Sequence, residues 1–269
     1  MAERSGSSFL AGIRILPRSR REAMYAIYAY CREIDDIADD PLPLDEKRRL
    51  LAEWREEIGR LYAGAPSRPT TRALLETIGE FDLRRDDFLA VIDGMEMDAD
   101  EMATHGPTME TLDLYCDRVA SAVGRLSIRV FGDNSEAAHE VAWALGRALQ
   151  LTNILRDLRE DADRGRLYLP SDLLAKHGIV TRDPDEVLAH PALAEVCHDF
   201  AEVARQRFDD SARAIARCDR RAMRPATVMM HVYERVLDGL LRRGWRRLDE
   251  RVSVPTATKI WIALRHGLV

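Results

Sequence analysis

Tyr28-Ala29-Tyr30-Cys31-Arg32-Glu33-Ile34-Asp35-Asp36-Ile37-Ala38-Asp39 and Leu149-Gln150-Leu151-Thr152-Asn153-Ile154-Leu155-Arg156-Asp157-Leu158-Arg159-Glu160-Asp161 decide the fold. Each ends a helical apolar pattern on aspartates four residues apart, Asp35 with Asp39 and Asp157 with Asp161. On a helix these positions stack one above the other, so the like charges repel. Near a helix C-terminus they also face the negative end of the macrodipole. A hard cation such as Mg²⁺ reverses both penalties, because it takes oxygen ligands and is completed by water and phosphate oxygens.

Working outward from the first stretch, Met24, Ile27, Cys31, Ile34 and Ala38 recur at helical spacing. Ser19-Arg20-Arg21-Glu22 reads as a capping box that opens this helix, and Pro41 and Pro43 stop it by Asp40. Tyr28, Arg32, Asp35 and Asp39 then share one line on its surface. In the second stretch Gln150, Asn153, Asp157 and Asp161 form a like stripe, flanked by Leu145, Leu149, Leu151, Ile154, Leu155 and Leu158. Apolar flanks turn the stripe inward. Two such stripes face to face predict an ion-lined mouth above an apolar cavity. Arg32 and Arg156 add guanidinium forks, the natural bidentate partners of phosphate, so the pattern points to a Mg²⁺-bridged diphosphate.

The rest of the chain is helical in period, with no long β-type alternation, and the class is all-α. Helices are predicted over 44–63, 70–80, 85–100, 109–131, 136–163, 191–218 and 221–247, with loops at 64–67, 105–107 and 132–135. Across 269 residues, 46% hydrophobic, no linker-like stretch intervenes, so 1–269 reads as a single domain. No apolar run is long enough to span a bilayer, which predicts a soluble or peripheral protein. Net charge −6 without a basic stripe argues against nucleic acid. Residues 1–8 lack the apolar core of a secretory signal, and the scattered Cys31, Cys116, Cys197 and Cys218 read as reduced thiols of a cytoplasmic protein.

The two opening stretches resemble the squalene/phytoene synthase family. So do Gly165-Arg166-Leu167-Tyr168-Leu169-Pro170, Ser5-Gly6-Ser7-Ser8-Phe9 with Leu16-Pro17, and Tyr115-Cys116-Asp117-Arg118-Val119-Ala120 through Gly124. The resemblance covers almost the whole chain. It implies a single-domain isoprenoid-synthase-type helical bundle around a central apolar cavity, and a Mg²⁺-dependent prenyltransferase. Within the family, the chain length and motif wording look most like bacterial members that condense two farnesyl diphosphates head to head, giving a cyclopropylcarbinyl diphosphate for hopanoids. Geranylgeranyl diphosphate, with phytoene as product, is the runner-up; full reduction to squalene is another, although NADPH is not expected. By this resemblance Asp35, Asp36, Asp39, Asn153, Asp157 and Asp161 hold several Mg²⁺ ions. Ser5, Gly6, Ser7, Ser8, Phe9, Tyr28, Arg32, Gln150, Asn153, Arg156, Arg166 and Tyr233 contact substrate. The phenols Tyr28, Tyr115 and Tyr168 are candidates to face a carbocation.

Two other classes compete. Glu136-Ala137-Ala138-His139 and Glu195-Val196-Cys197-His198 have the E-x-x-H spacing of di-iron bundles, which requires both pairs to project into the core. A non-catalytic helical scaffold or lipid carrier should show eroded aspartate clusters, and both are intact. Lys259-Ile260-Trp261-Ile262-Ala263-Leu264-Arg265-His266 reads first as a closing helix, and second as a peripheral contact with the inner membrane face, where a lipid product could pass to downstream enzymes.

Overall fold

The computed structural model describes residues 12–101 and 104–267. Among them the architecture is helical throughout, with one isolated β-bridge between His105 and Leu167. The helices are α1 (Arg18–Asp39), α2 (Leu44–Tyr62), α3 (Pro69–Phe81), α4 (Arg85–Ala99), α5 (Met109–Cys116) and α6 (Ala122–Phe131). They continue as α7 (Glu136–Asp163), α8 (Ser171–Lys176), α9 (Pro184–Ala189), α10 (Leu193–Ile215), α11 (Arg224–Arg243) and α12 (Thr256–Gly267).

Local chemistry sets these boundaries, with several departures from the sequence pattern. The proposed box at Ser19 does not form: the N-cap is Pro17, two residues earlier, no side chain caps the helix, and Glu22 instead accepts from Arg18 at 2.8 Å. Pro17 holds the extended entry to the helix, with φ −52° and ψ 156°, and carries no side-chain acceptor for the first turn. Ser135 does cap α7, accepting from Ala138 N at 3.2 Å. The helix expected over 109–131 is interrupted by a π-helical turn at Asp117–Ser121. The one expected over 221–247 stops at Arg243, where Gly244 takes φ 74°.

One buried apolar cluster draws residues from Ile13 to Ile262. Tyr30 of α1 meets Trp54 of α2 and Phe88 of α4 edge-on, with centroids 5.5 and 5.1 Å apart, and its hydroxyl donates to Phe88 O. That aromatic knot fixes the roll of α1, and so decides which of its faces looks toward α7 across the cavity described below. The long α7 runs through the middle of the bundle against α6, α10 and α11. Its backbone touches the π turn: a Cβ added at Gly146 would lie 2.7 Å from Ser121 N and Cα. Backbone atoms cannot swing aside, so Gly146→Ala should cost about 1–3 kcal/mol in denaturant unfolding; an unchanged midpoint would show that the two helices do not approach so closely.

The E-x-x-H pairs do not build a core site. Glu136, Glu195 and His198 are exposed, and His139 bonds Asn134 Oδ1 at 2.9 Å. All four cysteines are unpaired thiols.

Candidate active site

A cavity of about 310 Å³ opens between α1, α6, α7 and α11, at the small end of the roughly 300–1,000 Å³ typical of ligand pockets. Val119, Val123, Ile128, Phe131, Val141 and Leu145 give its walls an apolar character. Polar groups gather at one end: Tyr28 and Asp35 from α1, Gln150 and Asn153 from α7, and Tyr233 from α11. Both motif helices therefore face the same space, as the two stripes predict.

Each acidic cluster lies in guanidinium hands. Arg32 donates to Asp35 at 2.8 Å and to Asp36 at 2.6 Å. Arg156 grips both oxygens of Asp157, at 2.8 and 2.5 Å, and faces Tyr233. Arg166, just past α7, donates to Asp39 at 2.7 Å and to Ala38 O at 3.1 Å, so the far end of α7 is tied directly to the end of α1. The field of Arg166 also reaches Asp35, Asp98 and Asp161, which places the carboxylates of both stretches around one mouth.

Burial and mutual repulsion perturb these acids unequally. Desolvation, then the neighbouring Asp39, push Asp35 up to about 6. Desolvation and Asp157 push Asp161 up to about 7. Desolvation acts on Asp39 as well, but Arg166 and Arg164 overcome it and hold that carboxyl below its ordinary range. With pKa values raised in the folded state, the folded chain binds more protons than the unfolded between about pH 4 and 7, so stability falls as pH rises through that window. Metal-free Asp161→Asn, lacking the titration, should gain melting temperature relative to the parent between about pH 5 and 8. A constant difference across that range would contradict the burial of this carboxyl.

The donor set suits a hard cation: carboxylate oxygens and an amide, with adjacent arginines whose forks match phosphate as well as carboxylate. Asn153 Oδ1 is buried without a hydrogen-bond partner, which a cation would satisfy. As they stand, however, no three His, Cys, Asp or Glu side chains among the described residues cluster closely enough to hold a metal ion.

Two proposed phenols lie elsewhere than expected. Tyr115 and Tyr168 stack 5.5 Å apart and both donate to Asp98, at 2.9 and 3.1 Å; neither lines the cavity. Asp98, at the end of α4, was not picked out by sequence reasoning. Desolvation pushes it up to about 7 despite its two phenols, and the fields of Asp35 and Asp161 both reach it or are felt from it. Its only signal was position: Val91, Met95 and Asp98 recur at helical offsets on the buried face of α4, whereas Asp93 and Glu96 of the same run pair with Arg55. Cys31 also lines the cavity, as a thiol that desolvation pushes up to about 12 and so leaves unreactive. Ser5, Gly6, Ser7, Ser8 and Phe9 lie outside the described residues.

Comparison with known proteins places this arrangement. The model of the squalene/phytoene synthase family matches residues 2–258. A presqualene diphosphate synthase of Rhodopseudomonas palustris is 47% identical, the match covering 98% of this chain and 94% of that protein. A phytoene synthase of Arthrospira platensis is 33% identical, over 94% of this chain and 85% of the other. Among solved structures, a dehydrosqualene synthase in complex with ligand superposes with TM-score 0.85 at 24% identity, covering 99% of this chain and 92% of that one, a likeness of fold.

Proposed function

Because the chain belongs to the squalene/phytoene synthase family, we propose that it joins two farnesyl diphosphates head to head, yielding presqualene diphosphate, one diphosphate and one proton. Residues 1–269 act in this reading as one domain. The observation that carries it is the shared cavity, with Tyr28 and Asp35 on one side of the mouth and Gln150 and Asn153 on the other. The higher identity to presqualene diphosphate synthase than to phytoene synthase supports the farnesyl chain length.

Breaking the allylic carbon–oxygen bond leaves charge on the departing diphosphate. Bound Mg²⁺, held by Asp35, Asp39, Asn153, Asp157 and Asp161 with Asp36 in support, would supply electrostatic stabilisation of that leaving group. Arg32, Arg156 and Arg166 add guanidinium donors at the same mouth, and Gln150 and Tyr233 an amide and a phenol. Below them, Val123, Ile128, Phe131 and Leu145 exclude water from the carbocation and hold the second chain's alkene in reach of it. Tyr28, half-buried at the mouth, presents a ring to the cation. Tyr115 and Tyr168 act through Asp98, as supports of the loop that carries Arg166.

The test is product analysis by mass spectrometry after incubation with farnesyl or geranylgeranyl diphosphate, with Mg²⁺ or chelator, and with or without NADPH. Presqualene diphosphate from farnesyl diphosphate, dependent on Mg²⁺ and indifferent to NADPH, is the expected result. Phytoene from the longer substrate, squalene on adding NADPH, or no turnover at all would each reject it.

No described helix is long and apolar enough to cross a membrane. Helix α12 leaves Ile260, Trp261 and Leu264 exposed on one side, with Arg265 adjacent, while Ile262 packs inward. This supports a peripheral contact through which an apolar product leaves. Trp261→Glu with Leu264→Glu should abolish co-flotation with anionic liposomes while preserving turnover in detergent; unchanged flotation would remove α12 from that role.

A further inference from the structure

Arg164 carries the observation. It follows the last turn of α7, is half-exposed, and donates to one oxygen of Asp39 at 3.1 Å while Arg166 donates to the other at 2.7 Å. Its second contact is Glu160, at 3.4 Å. Asp39 ends α1 and Arg164 directly follows α7, 125 residues on in the chain, so their pairing exists because the two acidic ends converge. The same theme recurs across the mouth, where Arg32 spans Asp35 and Asp36 and Arg156 grips Asp157. Asp35, Asp36, Asp39 and Asp157 are thus each paired with a guanidinium group.

Resting on the reading that this mouth takes a metal-bound diphosphate, we propose that Arg164 is the exchangeable counter-ion of Asp39: it holds the carboxylate in the empty site and transfers to a diphosphate oxygen when cation and diphosphate arrive together. A guanidinium fork fits carboxylate and phosphate alike, so the exchange conserves hydrogen bonds. Arg166 is the more fixed of the pair, because it is less exposed and also bonds Ala38 O. Arg164 has a long exposed stem and can swing without disturbing the core.

The consequence is specificity for the complex over its parts. A bare dication must displace arginines from Asp39 and then remain beside their positive charge. A dication bound to diphosphate brings anionic oxygens that receive those arginines. Binding of metal and of diphosphate is therefore mutually reinforcing, and Arg164 supplies part of the coupling.

The experiment is a titration of the full chain with Mn²⁺ and with preformed Mn²⁺-pyrophosphate, protein-bound metal being counted after ultrafiltration against a protein-free control that accounts for Mn²⁺ held by pyrophosphate in solution. Parent protein, Arg164→Gln and Arg164→Lys are compared, with melting curves as a check of folding. Removing the charge should tighten Mn²⁺ binding alone on the order of five-fold, the worth of an exposed ion pair, and weaken it by a similar factor when pyrophosphate is present. Arg164→Lys, which keeps the charge, should keep most of the coupling. If pyrophosphate raises Mn²⁺ affinity equally in the parent and in Arg164→Gln, Arg164 is structural and the inference fails alone. If pyrophosphate raises it in neither, the metal–diphosphate reading of the mouth fails with it.

Discussion

Asp35→Asn removes condensation, with turnover falling on the order of 10²–10³-fold, while the helical fold melts no earlier than the parent's. The carboxyl lines the cavity, and burial together with Asp39 one turn on pushes it up to about 6. Without a cation that charge is a liability, and a neutral amide relieves it. In the proposed reaction it is a cation ligand, and an amide is a poorer donor to a hard ion than a carboxylate. Arg32 loses one contact but keeps Asp36 at 2.6 Å, both partners being exposed, so the metal-free protein loses little. Asp157→Asn should cost as much turnover without any gain in stability, because Arg156 bonds both oxygens of Asp157 and sits deeper in the fold. Steady-state rates across a Mg²⁺ series, alongside melts, distinguish these outcomes. Near-parental rates at limiting Mg²⁺ would take Asp35 out of the site.

Val123→Trp should cut turnover of farnesyl diphosphate by roughly 10²-fold, since misplacement of a reacting chain by about 1 Å suffices for a loss of that size. Val123 lines the cavity wall on α6 and is not fully buried, so a larger side chain projects into the chamber without forcing apart packed helices. The mouth lies elsewhere, on α1, α7 and α11, and Mn²⁺-pyrophosphate affinity should stay within about two-fold of the parent's. Loss of both activities together would mean that chamber and mouth are not separate. Retention of full turnover would mean that the prenyl chains do not occupy this cavity.

Much of this site is written in local spacing. Asp35 with Asp39, and Gln150 with Asn153 and Asp157, repeat at helical offsets, and the flanking leucines show which way the second stripe points. Pro41, Pro43 and Ser135 likewise mark boundaries through chemistry confined to a few residues. What escaped depends on contacts remote in sequence. Asp98 is buried beside the site by its bonds from Tyr115 and Tyr168, 17 and 70 residues away. Arg164 looks like one charge among many until α1 and α7 meet. The π turn at Asp117–Ser121 does not disturb the apolar pattern, so the periodicity reads through it as one helix. At Ser19 a good local cap motif lost to Pro17 and the Arg18–Glu22 pair, and at Gly244 a backbone conformation that glycine favours ended α11 while charged residues continued the helical composition.

The central claim is that α1 and α7 jointly clamp one metal-bound diphosphate. Its most direct test is a crystal structure with Mn²⁺ and the thio analogue of farnesyl diphosphate, the metal located by anomalous scattering. The expected map places manganese against Asp35 or Asp39 and against Asn153, Asp157 or Asp161, bridged by one diphosphate. Metal held by a single helix, or diphosphate bound away from this mouth, would contradict the account.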